Sequence, residues 1–503
     1  MVRIAPPPEL FIAAFIGIPT VASQALRHGV YHRVSREQRR TKDLTTQSHR
    51  MVSADNLNLD CLELIFQYLS GNDLVAVSLV SKSFLAGVVP HLYRSLVFHT
   101  GNCKRYPKVL SPFEVILRDP SLAVHVRSID IRTIPIIKGA VHAKFLANCQ
   151  RAITLCANLR SFTCTPNVLP SFLLVLEKLE NVENIRVNAT ITQEQAKHLV
   201  SLKKLRSISL ETCSWNVVDI LPSWVSCLPT LTTLTFFSVQ ELHEQILRTI
   251  LGHVPQLKAL HVMGCTKIEH TDVLRAITHT PDLETLSITA WDSQSLSISV
   301  PSLTRLRHLT VDTHAAMTVG PAPVATPGLW MSIITATRSW SCPLQSITLR
   351  LSDRWPIHRS FIQDLVNAHG TTLKHIAMLD SELEMDSIRL ITSRCTVLEG
   401  LAIYVPKKDL TTFNASLALS KTLKVLGDVG ESHMTHGAHP FLKPSEVTTM
   451  MWTVPTLRKV SADGRIWLAD KPSGWKYQKF QIRLEKRRTS TPAYWFMPPV
   501  QLS

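Results

Sequence analysis

His433, His436 and His439 recur at every third position, a spacing that could gather imidazoles around a metal ion. They lie in a stretch rich in Gly, Thr and Pro, without Cys or carboxylate partners at the spacings metal sites use. The expectation is a solvated loop and no metal. The ten cysteines include no CxxC pair and no tight framework. In a chain of this length such cysteines read as free thiols packed as small hydrophobes, which implies a reducing compartment, cytoplasmic or nuclear. An HExxH helix is absent, and so are a GxxxxGK[ST] phosphate loop, a GxGxxG turn and a GxSxG elbow. The sequence therefore predicts no catalytic residue and no cofactor. The triplets at Asn188 and Asn414 match the glycosylation pattern, which would matter only in a secreted protein.

Charge adds little chemistry. The 503 residues carry a net +16, with eight Lys/Arg in the first fifty residues and a small cluster at Lys486, Arg487 and Arg488. Neither cluster is interleaved with aromatic residues, so no specific nucleic-acid role is expected. Leu10 to Ile18 is apolar but broken by Gly17, and is too short for the roughly 20 residues a bilayer requires. Residues 1–53 are read as a flexible basic leader, the alternatives being a targeting segment or a misplaced start. No membrane partner is expected.

With chemistry sparse, the elements carry the information. Leu62, Ile65, Phe66 and Leu69 fall at i, i+3, i+4 and i+7, one face of an amphipathic helix. Gly71 suits the positive φ that ends such a helix, and Asp73 is the expected N-cap of the next. Leu74, Val77, Val80 or Ser81, and Phe84 continue at helical spacing, and Pro90 is expected to open a third short helix. A module this small also has a surplus of apolar residues (Leu57, Leu59, Leu64, Leu79), which points to a partner surface.

Residues 54–100 resemble the F-box. The match runs through Leu57, Leu62, Ile65, Phe66, Tyr68, Leu69, Asp73, Leu74, then Ser78-Leu79-Val80-Ser81-Lys82 with Phe84, then Leu92-Tyr93-Arg94. Asp60 replaces the family's Glu, Asn58 its Pro and Cys61 its Leu. The resemblance implies docking on a Skp-type adaptor and, through it, on a cullin–RING ubiquitin ligase. It places the adaptor-binding residues among Leu57, Asp60, Leu62, Ile65, Phe66, Leu69, Asp73, Leu74, Leu79, Val80 and Phe84. Some of these must be core and some interface.

From residue 101 to 470 an apolar-x-x-apolar-x-apolar pattern recurs, with most starts 23–29 residues apart. Pro229, Pro255 and Pro281 precede three self-similar copies. Leu205-Ile208-Leu210-Cys213 and Leu257-Leu260-Val262-Cys265 give the fuller leucine-rich-repeat form. This spacing predicts an α/β solenoid, a curved parallel sheet with outer helices such as 241–251 and 268–278. The copy at Leu423 is degenerate, because Asp428 takes its last apolar position. The gap from Leu306 to Leu344, with Gly320-Pro-Ala-Pro, Pro327 and Gly328, is expected to be an inserted loop. The chain resembles irregular leucine-rich-repeat F-box proteins, especially the large families of mushroom-type fungi.

The residues between the buried ones face the concave side, where a solenoid usually holds its partner. Phe237, His261 and Met263 form the apolar-aromatic spot that best suits an unknown protein target. Residues 471–503 belong to an aromatic and basic stretch from Trp467 onward that is expected to cap the solenoid's end or form a tail. The whole reads as the substrate-recognition subunit of a Skp/cullin/F-box ubiquitin ligase. The alternative is a repeat scaffold or inhibitor that binds a partner without ubiquitin transfer.

Overall fold

The computed structural model describes residues 58–69, 71–101, 110–291, 302–313, 328–430, 441–470, 481–486 and 494–497. At 72, 351–356, 470, 485 and 486 it describes the backbone alone. The leader, Leu57 and the three loop histidines lie outside the described residues. The chain divides into two compact units, Met1–Asn184 and Ile185–Ser503.

The first unit begins with three short helices, α1 (Leu59–Phe66), α2 (Asn72–Ser78) and α3 (Lys82–Leu92). Gly71, at φ 52°, supplies the left-handed backbone between α1 and α2. It also takes the N-cap position, so the cap expected at Asp73 is not found. Asp73 sits two residues further in, within the first turn, where a carboxylate favours the positive end of the helix. The third helix does not start at Pro90. Ser81 caps it nine residues earlier by accepting the amide of Phe84 at 3.1 Å, and Pro90 lies in its last turn. Ser81-Lys82-Ser83 therefore outweighs Pro90 as the start signal.

Helix α3 crosses close to α1 at Gly87, where an added Cβ would lie 3.0 Å from the Leu62 Cβ and 3.1 Å from the Phe66 ring. Beyond α3, three parallel strands follow in this unit: Ser95–Phe98, Ser128–Ile131 and Ser161–Cys164. The first and third alternate buried and more exposed positions, as strands with one packed face do, while Ser128–Ile131 is buried over its last three residues. The helices Pro112–Arg118 and Ala143–Leu155 bury Phe113, Ile116, Cys149 and Ile153 in this unit's core.

The second unit repeats that strand–helix step. Strands Ser207–Glu211, Thr233–Phe237, Ala259–Met263, Thr285–Thr289, His308–Asp312, Ser346–Pro356, His375–Glu382, Gly400–Ile403, Val425–Asp428 and Lys459–Ala462 pair in parallel, each with the next. The consensus apolar positions are the buried ones: Leu205, Ile208, Leu210; Leu231, Leu234, Phe236; Leu257, Leu260, Val262; Leu283, Leu286, Ile288. Cys213 and Cys265 are buried beside them. The helices Glu244–His253 and His270–Ala276 occupy the predicted helical stretches. The fold is thus an α/β, leucine-rich-repeat-like array of parallel strands with helices between them.

Two further places differ from expectation. The long gap before Leu344 is not all loop. Residues 328–339 form a helix that buries Leu329, Trp330, Ile333 and Ile334, so the gap holds the helix of an ordinary repeat. Asp428, the apparent flaw in its repeat, is a functional part of the fold. Its carboxylate accepts the amides of Val405 and Gly430 and pairs with the buried Lys407 ammonium at 3.1 Å; Asp463 pairs with the same ammonium at 3.2 Å. Burial opposes the Lys407 charge, but the two carboxylates outweigh it and hold the ammonium above its usual range.

The aromatic C-terminal stretch divides between the end of the sheet and its face. Asp463-Gly464, at φ 51° and 67°, makes a two-residue turn of the kind that joins antiparallel strands. Arg465–Asp470 then adds antiparallel to Lys459–Ala462, and Gln481–Lys486 adds antiparallel to that. Trp467 is buried in this addition. Tyr494–Met497 lies elsewhere, against the sheet.

All nine described cysteines are free thiols, and seven are buried. Burial pushes Cys156, Cys213, Cys265 and Cys395 up to about 12, so they stay protonated and act as packing groups. Asn188 and Asn414 are buried too, unlike glycan acceptors. No described helix is long and apolar enough to cross a membrane.

Candidate functional site

Two surfaces stand out, one in each unit. In the first unit the structure sorts core from surface. Leu62, Phe66, Leu74 and Val88 form the interior of the three helices, with Leu69, Val77, Phe84 and Leu92 packed against them. The Phe66 and Phe84 rings meet at 5.3 Å between centroids. Of the residues expected to bind an adaptor, Leu62, Phe66 and Leu74 are therefore interior, and Leu69 and Phe84 are half-buried supports. They hold the module together because α3 lies directly over them, with His91 Nε2 bonded to the Glu63 carbonyl at 2.8 Å.

What remains outside is markedly apolar. Ile65 is 50% exposed, Tyr68 84%, Leu79 54% and Val80 65%, with Leu59 and Leu64 exposed beside them in the sequence of α1. Asp60 and Asp73 are exposed as well. Large apolar side chains left in water on a module this small mark a surface that is covered in use. Leu59, Leu64 and Tyr68 belong to this set, although the chain's match to the family pattern does not single them out as binding residues. Their signal was available: each lies off the Leu62/Phe66/Leu69 stripe.

In the second unit, parallel register lines up the residues that point away from the buried apolar row. Thr235, His261, Ser287, Thr310 and Thr348 are successive neighbours across five strands. This is the predicted partner-binding face, and Phe237, His261 and Met263 lie on it. The structure corrects their expected exposure: His261 is 2% exposed, Met263 is equally buried and Phe237 is half-covered.

The cover over Phe237 and His261 is the chain's own segment Tyr494–Met497. The Phe496 ring lies 5.7 Å from Phe237 and 5.5 Å from His261, and the Tyr494 ring 5.3 Å from Phe237. The Phe496 carbonyl accepts hydrogen bonds from Ser287 Oγ at 3.3 Å and Thr310 Oγ1 at 3.0 Å. Because Ser287 has one hydroxyl proton and gives it to Phe496, its 2.7 Å contact with His261 Nδ1 takes a proton from the ring. Burial lowers His261 to about 4, which keeps that ring neutral with its proton on Nδ1. At one side, Tyr494 lies under the Arg186 guanidinium and donates its hydroxyl to Glu211, itself paired with Arg186. At the other, Arg350, bonded to Asp380 at 2.7 Å, covers the Trp495 ring.

No group of three or more His, Cys, Asp or Glu side chains able to hold a metal occurs among the described residues. One surface is apolar and open, the other aromatic, hydroxyl-lined and filled.

A family model of the F-box domain matches residues 55–86, which include α1, α2 and the start of α3. The chain carries an F-box domain there, followed by a leucine-rich-repeat-like array. No curated protein matches the chain. Solved structures similar to it include an internalin from Listeria monocytogenes (15% identity, TM-score 0.31, 62% of this chain and 82% of that one). A chain of the yeast Rad7 and Elc1 complex (12%, 0.33, 69% and 96%) and a Bacteroides fragilis protein (13%, 0.34, 51% and 76%) are others.

Proposed function

We propose that this protein is the substrate-recognition subunit of a Skp/cullin/F-box ubiquitin ligase, binding a Skp-type adaptor through the F-box and a protein target through the repeat array. The observation that carries the reading is the apolar surface of the F-box domain, where Ile65, Tyr68, Leu79 and Val80 are each half or more exposed. Helices that show such a face find a partner's groove. The adaptor contacts would come from this exposed set together with Leu57, Asp60 and Asp73, while Leu62, Phe66, Leu69, Leu74 and Phe84 keep the helices in place. The protein would perform no bond-making step. It would hold target lysines near the ligase's charged conjugating enzyme and so raise their effective concentration.

Magnitudes make this testable. Full burial of a Leu or Val side chain contributes roughly 1.5–3 kcal/mol, so losing the exposed halves of Leu79 and Val80 costs about 2 kcal/mol, a ~30-fold weakening before any charge penalty. The test is co-purification with a Skp-type adaptor. The wild-type chain retains the adaptor, and the Leu79→Asp, Val80→Asp chain releases it while keeping its thermal unfolding profile. A wild-type chain that is folded and retains no adaptor contradicts the reading and favours a repeat scaffold.

A further inference from the structure

The segment Tyr494–Met497 is seated in a way that a separate peptide could reproduce. Its described contacts with the sheet are made by three side chains and one carbonyl oxygen, and no strand pairing is among them. Tyr494 and Phe496 stack on each other at 5.0 Å, with planes 14° apart, and present one double-ring face to Phe237 and His261. Trp495 turns aside to Arg350. The sheet supplies a ring wall, two hydroxyl donors for a main-chain carbonyl, a guanidinium over the tyrosine and a carboxylate for its hydroxyl. Each of these groups recognises a residue type and main-chain geometry, not the continuity of the chain.

The fit is also incomplete. Thr235 Oγ1 is fully buried in the same register row as His261 and has no hydrogen-bond partner among the described residues. An unmet hydroxyl in this row is a donor that a bound main-chain carbonyl could take up.

We infer that the row Thr235–His261–Ser287–Thr310, walled by Phe237 and Arg186, is a recognition site for protein segments bearing Tyr-x-Phe, and that Tyr494–Phe496 occupies it as a built-in competitor. The inference rests on the reading of the repeat array as the target-binding part. It gives the target a chemistry: a segment folded into a β-turn, as the Met497 amide bonded to the Tyr494 carbonyl at 3.0 Å closes this one, with a tyrosine and a second aromatic residue at alternate positions. Glu211 accepts that tyrosine's hydroxyl, and the Arg186 guanidinium lies over its ring. An intramolecular competitor acts at a high effective concentration, so a target must bind well or arrive in a multivalent complex to displace it.

The experiment uses the full chain and a fluorescent synthetic peptide of residues 491–499 (Thr-Pro-Ala-Tyr-Trp-Phe-Met-Pro-Pro), with a control peptide carrying Ala at the Tyr and Phe positions. No adaptor is present, so the outcome is independent of ligase docking. In the chain with Tyr494→Ala and Phe496→Ala the site is vacated, and the peptide binds at least ~10-fold more tightly than to wild type. The control peptide binds neither chain. Adding Phe237→Ala and Thr310→Val to the vacated chain weakens the peptide ~10-fold or more. The inference is overturned if the vacated chain fails to fold, since the segment is then an integral part of the core. It is equally overturned if that chain binds no peptide, if wild type binds equally well, or if the groove substitutions leave binding unchanged.

Discussion

The carbonyl oxygen of Phe496 accepts a 3.0 Å hydrogen bond from the hydroxyl of Thr310, 186 residues earlier in the chain. Phe496 is itself 1% exposed, so ring and carbonyl together anchor the segment. Removing the hydroxyl with Thr310→Val costs the seat about 1 kcal/mol, and Phe496→Ala costs about 3 kcal/mol or more. A dye placed at the C-terminus reports both. Its anisotropy falls slightly for Thr310→Val and strongly for Phe496→Ala, and unchanged anisotropy in the second variant would show that the ring is not the anchor.

The F-box domain separates stability from binding. Leu62 is buried at the centre of the three helices, so Leu62→Ala costs roughly 2–5 kcal/mol of stability. Val80 is two-thirds exposed, so Val80→Asp changes stability by about 0.5 kcal/mol or less and acts on adaptor binding alone. Urea denaturation paired with adaptor titration distinguishes the two. Equal effects of both substitutions on stability would mean that Val80 is not a free surface group.

Gly87 sets how closely α1 and α3 approach. Any side chain there meets the Leu62 Cβ at 3.0 Å, which must move for it to fit. Gly87→Val forces the helices apart and costs about 1–3 kcal/mol. Thermal unfolding of the full chain checks this, a loss of F-box helicity below the main transition being the expected sign. A profile identical to wild type would place the helices further apart than described.

Lys407 faces two carboxylates in a buried setting. Lys407→Met leaves Asp428 and Asp463 without their cation and costs about 3–5 kcal/mol, the usual consequence of stranding a buried charge. Replacing all three with apolar residues costs less than the single change. A single variant as stable as wild type would show the pair to be solvated.

Stability also depends on pH through two buried histidines. Burial lowers His261 and His369 to about 4, so both are neutral in the folded protein and charge more readily when it unfolds. Their contribution is complete above the ordinary value near 6.5 and is lost as pH falls from there towards 4, by up to about 3 kcal/mol each. Stability measured between pH 7 and 4.5 falls less steeply for His261→Gln than for wild type. Parallel slopes would mean that His261 titrates normally in the folded chain.

The F-box and the repeats were legible in the sequence for a physical reason. Helical spacing at Leu62, Ile65, Phe66 and Leu69, and alternation such as Leu205-Ile208-Leu210, are direct imprints of one buried face. Which residues of that stripe lie inside was not legible, because Ile65 shares the helical spacing of Leu62 and Phe66 and yet is half exposed. The Asp463-Gly464 turn is written plainly as an Asp-Gly between apolar stretches, whereas the partners of the aromatic residues that follow it lie too far away in the chain to leave a local trace. Lys407 left no local trace, since its partners are 21 and 56 residues away. Phe237 and His261 were picked out as unusual for a solvated face. They are unusual because they are not solvated: Phe496, more than two hundred residues later, covers them.

We propose that the apolar F-box surface and the aromatic-filled sheet face are separate grips. Hydrogen–deuterium exchange of the full chain with and without a purified Skp-type adaptor tests it most directly. Protection gained over Leu59–Val80 and none over Ser207–Thr289 is the predicted result. Protection confined to the strands from Ser207 to Thr289, with the F-box helices unchanged, would contradict the claim.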